Sequence, residues 1–197
     1  MNDRNTEQQL RYLGEIRACL HRAGFETTQI EDSQIPVEWN GAPLCRITGK
    51  GSVFYRREDM NTPQAGDALL CVEDIAARTL EYMTIMETAP SLKADGLEDG
   101  YKVLTDFNGA VLAGVQSKHG VHFVTWDWDY GHTGVCHGHY FMENYAGAKQ
   151  DFAVRSGLIQ KAQLFSPEQL TEIYRCCADS VDGDFFELTE EQEKVIR

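Results

Sequence analysis

The sequence predicts an α+β fold: antiparallel β-meanders with helices packed on one face, set out as two similar modules. Three observations predict it. Two Asn-Gly pairs, Asn40-Gly41 and Asn108-Gly109, lie between β-prone runs, and a two-residue type I′ hairpin needs positive φ at both central positions. Each pair is followed by a second glycine turn, at Gly49-Lys50-Gly51 and at Gly120, and each strand block has a helical stretch after it. Long, continuously apolar strands are few, which argues against a parallel sheet. The expected modules span residues 1–92 and 93–197, packed separately or as one unit.

The elements follow in order. Residues 5–24 read as an amphipathic helix with Leu10, Leu13, Ile16, Arg17 and Leu20 near one face. Asn5 or Thr6 caps its start, Gln8 or Gln9 reaches back, and Gly24 stops it. Residues 37–58 read as three short strands. A helix at 68–87 buries Ala68, Val72, Ile75, Thr79, Tyr82, Met83 and Met86. Residues 90–100 read as a linker or exposed loop. Residues 101–130 repeat the plan at an offset of 68, with Trp39 to Leu44 matching Phe107 to Leu112. Duplication and a shared liking for one turn both explain this match. A fourth strand is expected at 135–142, then a helix at about 145–156 capped by Asn144, buried through Tyr145, Ala148 and Phe152 and stopped at Gly157. Ser166, Pro167 and Gln169 mark another helix start, followed by Leu170, Ile173, Tyr174 and Cys177 at helical spacing. Thr189 with Gln192 caps a short last helix.

Bulk properties exclude several function classes. The formal net charge is −13, carried unevenly. Residues 1–57 hold eight basic and seven acidic side chains, and residues 58–197 hold ten and twenty-four. Direct binding to nucleic acid or an anionic membrane needs a positive face and is not expected. No run reaches the ~18 apolar residues of a membrane span, and the first residues lack a signal-peptide apolar core. A cytoplasmic location is expected. The six cysteines form no C-x-x-C pair, so reduced, mostly buried thiols are expected rather than a zinc ribbon.

The chemistry-bearing stretch is WDWDYGHTGVCHGHYF, residues 126–141. Side chains alternate along a strand, so His122, Val124, Trp126 and Trp128 share one face and Phe123, Thr125, Asp127 and Asp129 the other. A five-residue loop at 130–134 pairs residue 129 with 135. Asp127 then lies opposite His137, Thr125 opposite His139, Trp128 opposite Cys136 and Val124 opposite Tyr140, while Trp126 shields Gly138. The Trp face, with Cys136, Tyr140 and Met142, is expected to cover helices, and the Asp/His face to meet water. The candidate binding residues are Asp127, Asp129, His137 and His139. Within them, Asp127, His137 and His139 are the metal candidates, two imidazoles and a carboxylate suited to zinc or iron. Cys136 and His137 are expected on opposite faces, which argues against a thiol–imidazole pair. GKGS at 49–52 reads as a hairpin turn, and no nucleophile elbow, P-loop or dinucleotide fingerprint occurs. Arg46, Lys50, Arg56 and Arg57 make a small basic patch on the first sheet.

The block Val124-Thr125-Trp126, Gly138-His139-Tyr140-Phe141, Ala148 to Leu158 and Leu164 to Gln169 resembles an uncharacterised protein family of bacterial integrative and conjugative elements. The likeness spans residues 123–174. It implies a mobile-element cargo protein in a host cytoplasm and carries no mechanism. Together these readings point to a non-enzymatic binding or accessory protein with a protein partner and no cofactor. An acidic DNA-mimic anti-restriction protein and a metal-dependent enzyme centred on Asp127, His137 and His139 are the alternatives.

Overall fold

The computed structural model describes residues 2–98 and 100–182; the Thr189/Gln192 cap lies outside the described residues. Two four-stranded antiparallel sheets are each a simple meander, as the paired Asn-Gly hairpins predict. Helix α1 (Asn2–Arg22) leads into β1 (Glu26–Thr27), β2 (Gln34–Trp39), β3 (Ala42–Thr48) and β4 (Val53–Phe54). Helix α2 (Pro63–Thr88) follows, then β5 (Lys102–Phe107), β6 (Ala110–Ser117), β7 (Gly120–Trp128), β8 (Val135–Met142) and α3 (Tyr145–Arg155). Helix α4 (Pro167–Asp182) comes last. The matching hairpins close on Trp39–Ala42 and Phe107–Ala110, with φ of 52° and 50° at Asn40 and Asn108.

The helix ends obey local chemistry. Gly24 takes φ +86° after α1. The Phe25 amide donates to the Leu20 carbonyl and the Gly24 amide to that of His21, a pair of bonds that satisfies the helix's orphan carbonyls. Helix α2 starts five residues earlier than its apolar periodicity indicates. Thr62 accepts from the Ala65 amide and Pro63 occupies the first turn, a cap followed by a residue that has no amide to satisfy. Within α1, Tyr12, Leu13, Ile16 and Leu20 are buried, and Leu10 is exposed, contrary to the expected stripe.

Sheet β1–β4 buries Ile35, Val37, Cys45 and Ile47 against α1 and the first half of α2. Burial there pushes the Cys45 thiol up to about 12. The cysteines otherwise depart from expectation, because Cys71, Cys136 and Cys176 are exposed.

Sheet β5–β8 has two covered faces. On one, Leu112, Val121 and Phe123 pack with Tyr82 of α2 and with Tyr145, Ala148 and Phe152 of α3. On the other, Val111, Ala113, Val124 and Trp126 pack with Leu92, Leu97 and Tyr101. The tryptophan face therefore packs on Leu92, Leu97 and Tyr101 and not on helices; the segment at 90–100 is a loop most of whose described residues are exposed, as expected, with Leu92 buried as its anchor. Tyr101 meets Trp126 edge-on at 5.0 Å, a favoured aromatic geometry.

Helix α2 is about 39 Å long at 1.5 Å per residue and serves both cores. Its Ala68, Leu69, Val72, Ile75 and Ala76 lie in the first, and Tyr82, Met83 and Met86 in the second. Glu15 of α1 ties the same join. Its buried carboxylate accepts from the Tyr82 hydroxyl at 2.9 Å and the Val121 amide at 3.0 Å. The two strand blocks are thereby joined within one unit. Met1–Ser156 is one compact unit and Gly157–Arg197 a second. In the second, Ser166 caps α4 by accepting from the Gln169 amide, and the Gln169 side chain accepts from the Ser166 amide.

Candidate functional site

The polar side chains of 126–141 gather where α3 lies against β7 and β8. The register of β8 decides how. Val124 pairs with Tyr140 and Thr125 with His139, as expected, but Asp127 pairs with Cys136 and Trp128 with Val135. Two residues of β8, His137 and Gly138, thus stand opposite Trp126 alone. That is a β-bulge, and it displaces the expected Asp127–His137 and Trp128–Cys136 pairs by one residue. His137 adopts φ +51°, the left-handed region used by the first residue of one bulge class. A second irregularity sits between Phe123 and Val124, and Met142 has φ +48°.

The bulge explains why pleat alternation misplaces some side chains. Cys136 and His137 share one side, with Sγ 3.6 Å from Nδ1, where strict alternation separates them. Tyr140 keeps its expected place on the tryptophan face, edge-on to Trp126 at 6.0 Å, but both it and Met142 are exposed and not buried. The expected cover of Gly138 does hold: a Cβ there would meet Trp126 Nε1 at 2.5 Å.

Arg155 organises the polar face. Its side chain is 12% exposed. The guanidinium lies 3.3 Å from Asp127 Oδ1 and 3.3 Å from Asp151 Oδ2, and it donates to the His137 carbonyl. The buried Thr125 hydroxyl donates to Asp151. His137 Nδ1 is 3.3 Å from Asp127 Oδ2, and His139 Nδ1 is 3.0 Å from Asp151 Oδ1. An ionised carboxylate only accepts, so in both pairs Nδ1 carries the proton. Asp151 and Arg155 sit four residues apart on one turn of α3, the spacing that brings side chains together. The spacing of Asp151 and Arg155 marks them as a helix pair, but nothing in the strand pattern shows that this pair docks between Asp127 and His139.

The structure thus brings Asp127 and His137 together and sends His139 to a different carboxylate. Arg155 stands between the two. Among the described residues, no group of three or more His, Cys, Asp or Glu side chains is disposed to hold a metal ion. A guanidinium bonded to both carboxylates also opposes a second cation there. Asp129 is apart from the cluster. It accepts from the Thr133 amide at 2.9 Å and the Thr133 hydroxyl at 3.2 Å, and its own amide donates to Gly134. Backbone hydrogen bonds from Gly134 and Thr133 hold its carboxyl below the usual range, so it builds the 129–134 loop.

A nucleophilic relay also fails on geometry. A thiol and a carboxylate must engage opposite nitrogens of the imidazole, whereas Cys136 and Asp127 both face Nδ1 of His137. What the cluster provides is a half-exposed polar surface held in place by one nearly buried arginine.

The other exposed surface is α4. Leu170, Ile173 and Tyr174 are 53%, 43% and 70% exposed. They recur at the i, i+3, i+4 spacing of one helix face, while Glu168, Glu172, Arg175 and Asp179 occupy the opposite one. Among the described residues, no helix is long and apolar enough to cross a membrane. Comparison of the chain with protein-family models, with curated proteins and with solved structures finds no match in any of the three.

Proposed function

We propose that this is a non-enzymatic binding protein that engages a protein partner through α4. The carrying observation is the apolar row Leu170, Ile173 and Tyr174 exposed on an otherwise acidic helix. Exposed apolar rows on capped helices suit insertion into a groove on another protein. The partner's groove is apolar and rimmed with lysine or arginine, because Glu168, Glu172 and Asp179 outnumber Arg175 on the flanks. The resemblance over residues 123–174 supports a mobile-element setting in a bacterial host. The lack of a catalytic relay at Cys136–His137–Asp127 supports a binding role over an enzymatic one.

The test is affinity capture with the full chain and with a Leu170→Asp/Ile173→Asp variant, followed by mass spectrometry. Helicity is checked by circular dichroism, since both positions are exposed. A protein enriched about tenfold by the native chain and lost with the variant is expected. Equal capture by both chains would remove α4 as the contact.

A further inference from the structure

We propose that the cleft between α1, the C-terminal half of α2 and the β6–β7 turn binds a multiply charged organic anion of the nucleoside polyphosphate class. The cleft has a volume of about 970 Å³, at the large end for sites that hold one small molecule. Four cations line it: Arg11, Arg22, Lys102 and Lys118. Among the described residues none of the four has a carboxylate within 4.0 Å. Lys102 donates to the Met86 carbonyl at 2.6 Å, and Arg22 to the His119 carbonyl at 3.1 Å and Cys19 Sγ at 3.3 Å. All three acceptors are neutral groups. Arg11 and Lys118 have no hydrogen bond or ion pair with any described residue.

The carboxylates of the same cleft are already engaged. Glu15 accepts from Tyr82 and Val121, Glu87 from the Gln8 amide at 2.9 Å, and Glu143 lies 3.4 Å from His122 Nε2. Arg22 adds only a longer-range pull on Glu143, whose carboxyl is held below its usual range first by its own backbone amide. In a chain of net charge −13, none of these four cations forms a direct ion pair among the described residues. With Glu15, Glu87 and Glu143 the cleft has a formal balance of +1, four cations against three carboxylates, and an incoming polyanion relieves the repulsion among the cations.

Two further features select a ligand with a flat apolar part. Half-buried Met83 and Met86 lie on the cleft wall, and methionine adapts well to an aromatic ring. Gly14, in the middle of α1, faces the cleft, and a Cβ there would meet nothing within 4 Å. A mid-helix glycine is less stable than alanine, and no close contact explains this one. It leaves the α1 wall of the cleft open. A ring against Met83 and Met86, with three or four phosphate charges among the cations, satisfies both halves of the cleft.

The experiment is calorimetric titration of the full chain with ATP, adenosine and inorganic triphosphate at about 0.15 M salt. ATP is expected to bind with Kd of about 10–100 μM, and adenosine and triphosphate each at least about tenfold more weakly. An Arg11→Ala/Lys118→Ala variant should lose about tenfold or more for ATP with an unchanged melting temperature, because neither side chain has a hydrogen-bond or ion-pair partner among the described residues. No saturable heat with ATP at millimolar concentration overturns the proposal. So does triphosphate binding as tightly as ATP, or an unweakened variant. Each outcome is independent of α4.

Discussion

At the scale of single residues, Arg155 carries the most consequence. Removing it leaves Asp127 and Asp151 facing each other across the docking surface of α3, and an uncompensated, partly buried carboxylate is costly. Because Asp127 is 40% exposed and partly screened, Arg155→Ala should cost about 2 kcal/mol by urea denaturation. A loss below about 0.5 kcal/mol would mean that solvent replaces the guanidinium freely. His137 offers a cleaner test of backbone strain. With φ +51° it occupies a region that disfavours a Cβ by about 1–2 kcal/mol. His137→Gly should therefore be about 1 kcal/mol more stable than His137→Ala, and equal stability would show that the bulge relaxes. Asp129 sets a pH dependence. Its folded pKa lies below the ordinary 3.8, so its support of the loop is full above that value and lost as pH falls through the folded one. The Thr133 amide shift in NMR should titrate with a midpoint below 3.8, and a midpoint at or above it contradicts the capping role.

At the scale of elements, what was legible in the sequence depended on how local the determinant was. The Asn-Gly hairpins, β8 at 135–142, the Asn144 and Ser166 caps and the Gly157 stop rest on a few adjacent residues, and all stand in the structure. The pairings nearer the middle of β7 and β8 also held, as at Thr125–His139. The bulge at His137-Gly138 did not show, because neither residue type announces it: the left-handed position is taken by histidine, where glycine is the usual signal. One inserted residue then moved Asp127 opposite Cys136 and put Cys136 beside His137. The docking of the 90–101 loop on the tryptophan face did not show, because its few apolar residues, Leu92, Leu97 and Tyr101, have no periodicity. The role of Arg155 was missed because docking of α3 on the sheet is a tertiary fact.

At the scale of the whole compact unit, the sharing of α2 between two cores predicts cooperative unfolding of residues 1–156. Trp39 packs against the first core and Trp126 belongs to the tryptophan face of the second sheet, so each reports on one half. Single-tryptophan variants retaining one or the other should give coincident fluorescence midpoints in urea, as two-state behaviour requires. Midpoints separated by more than about 0.5 M would show that the halves melt independently.

The bulges of β8 have one more consequence, for assembly. A meander ends in two open rims, and an open rim invites another chain to add a strand. Here each rim is spoiled differently. β1 and β4 are two residues long. The outer side of β5 is taken by its own chain, through the Val103 amide bonding to Pro90 and the Leu92 amide to Tyr101. β8 is irregular at two places, and Arg155 occupies its His137 carbonyl. Among the described residues no long, straight rim remains for fibril-like growth, so contacts with other molecules fall to side chains.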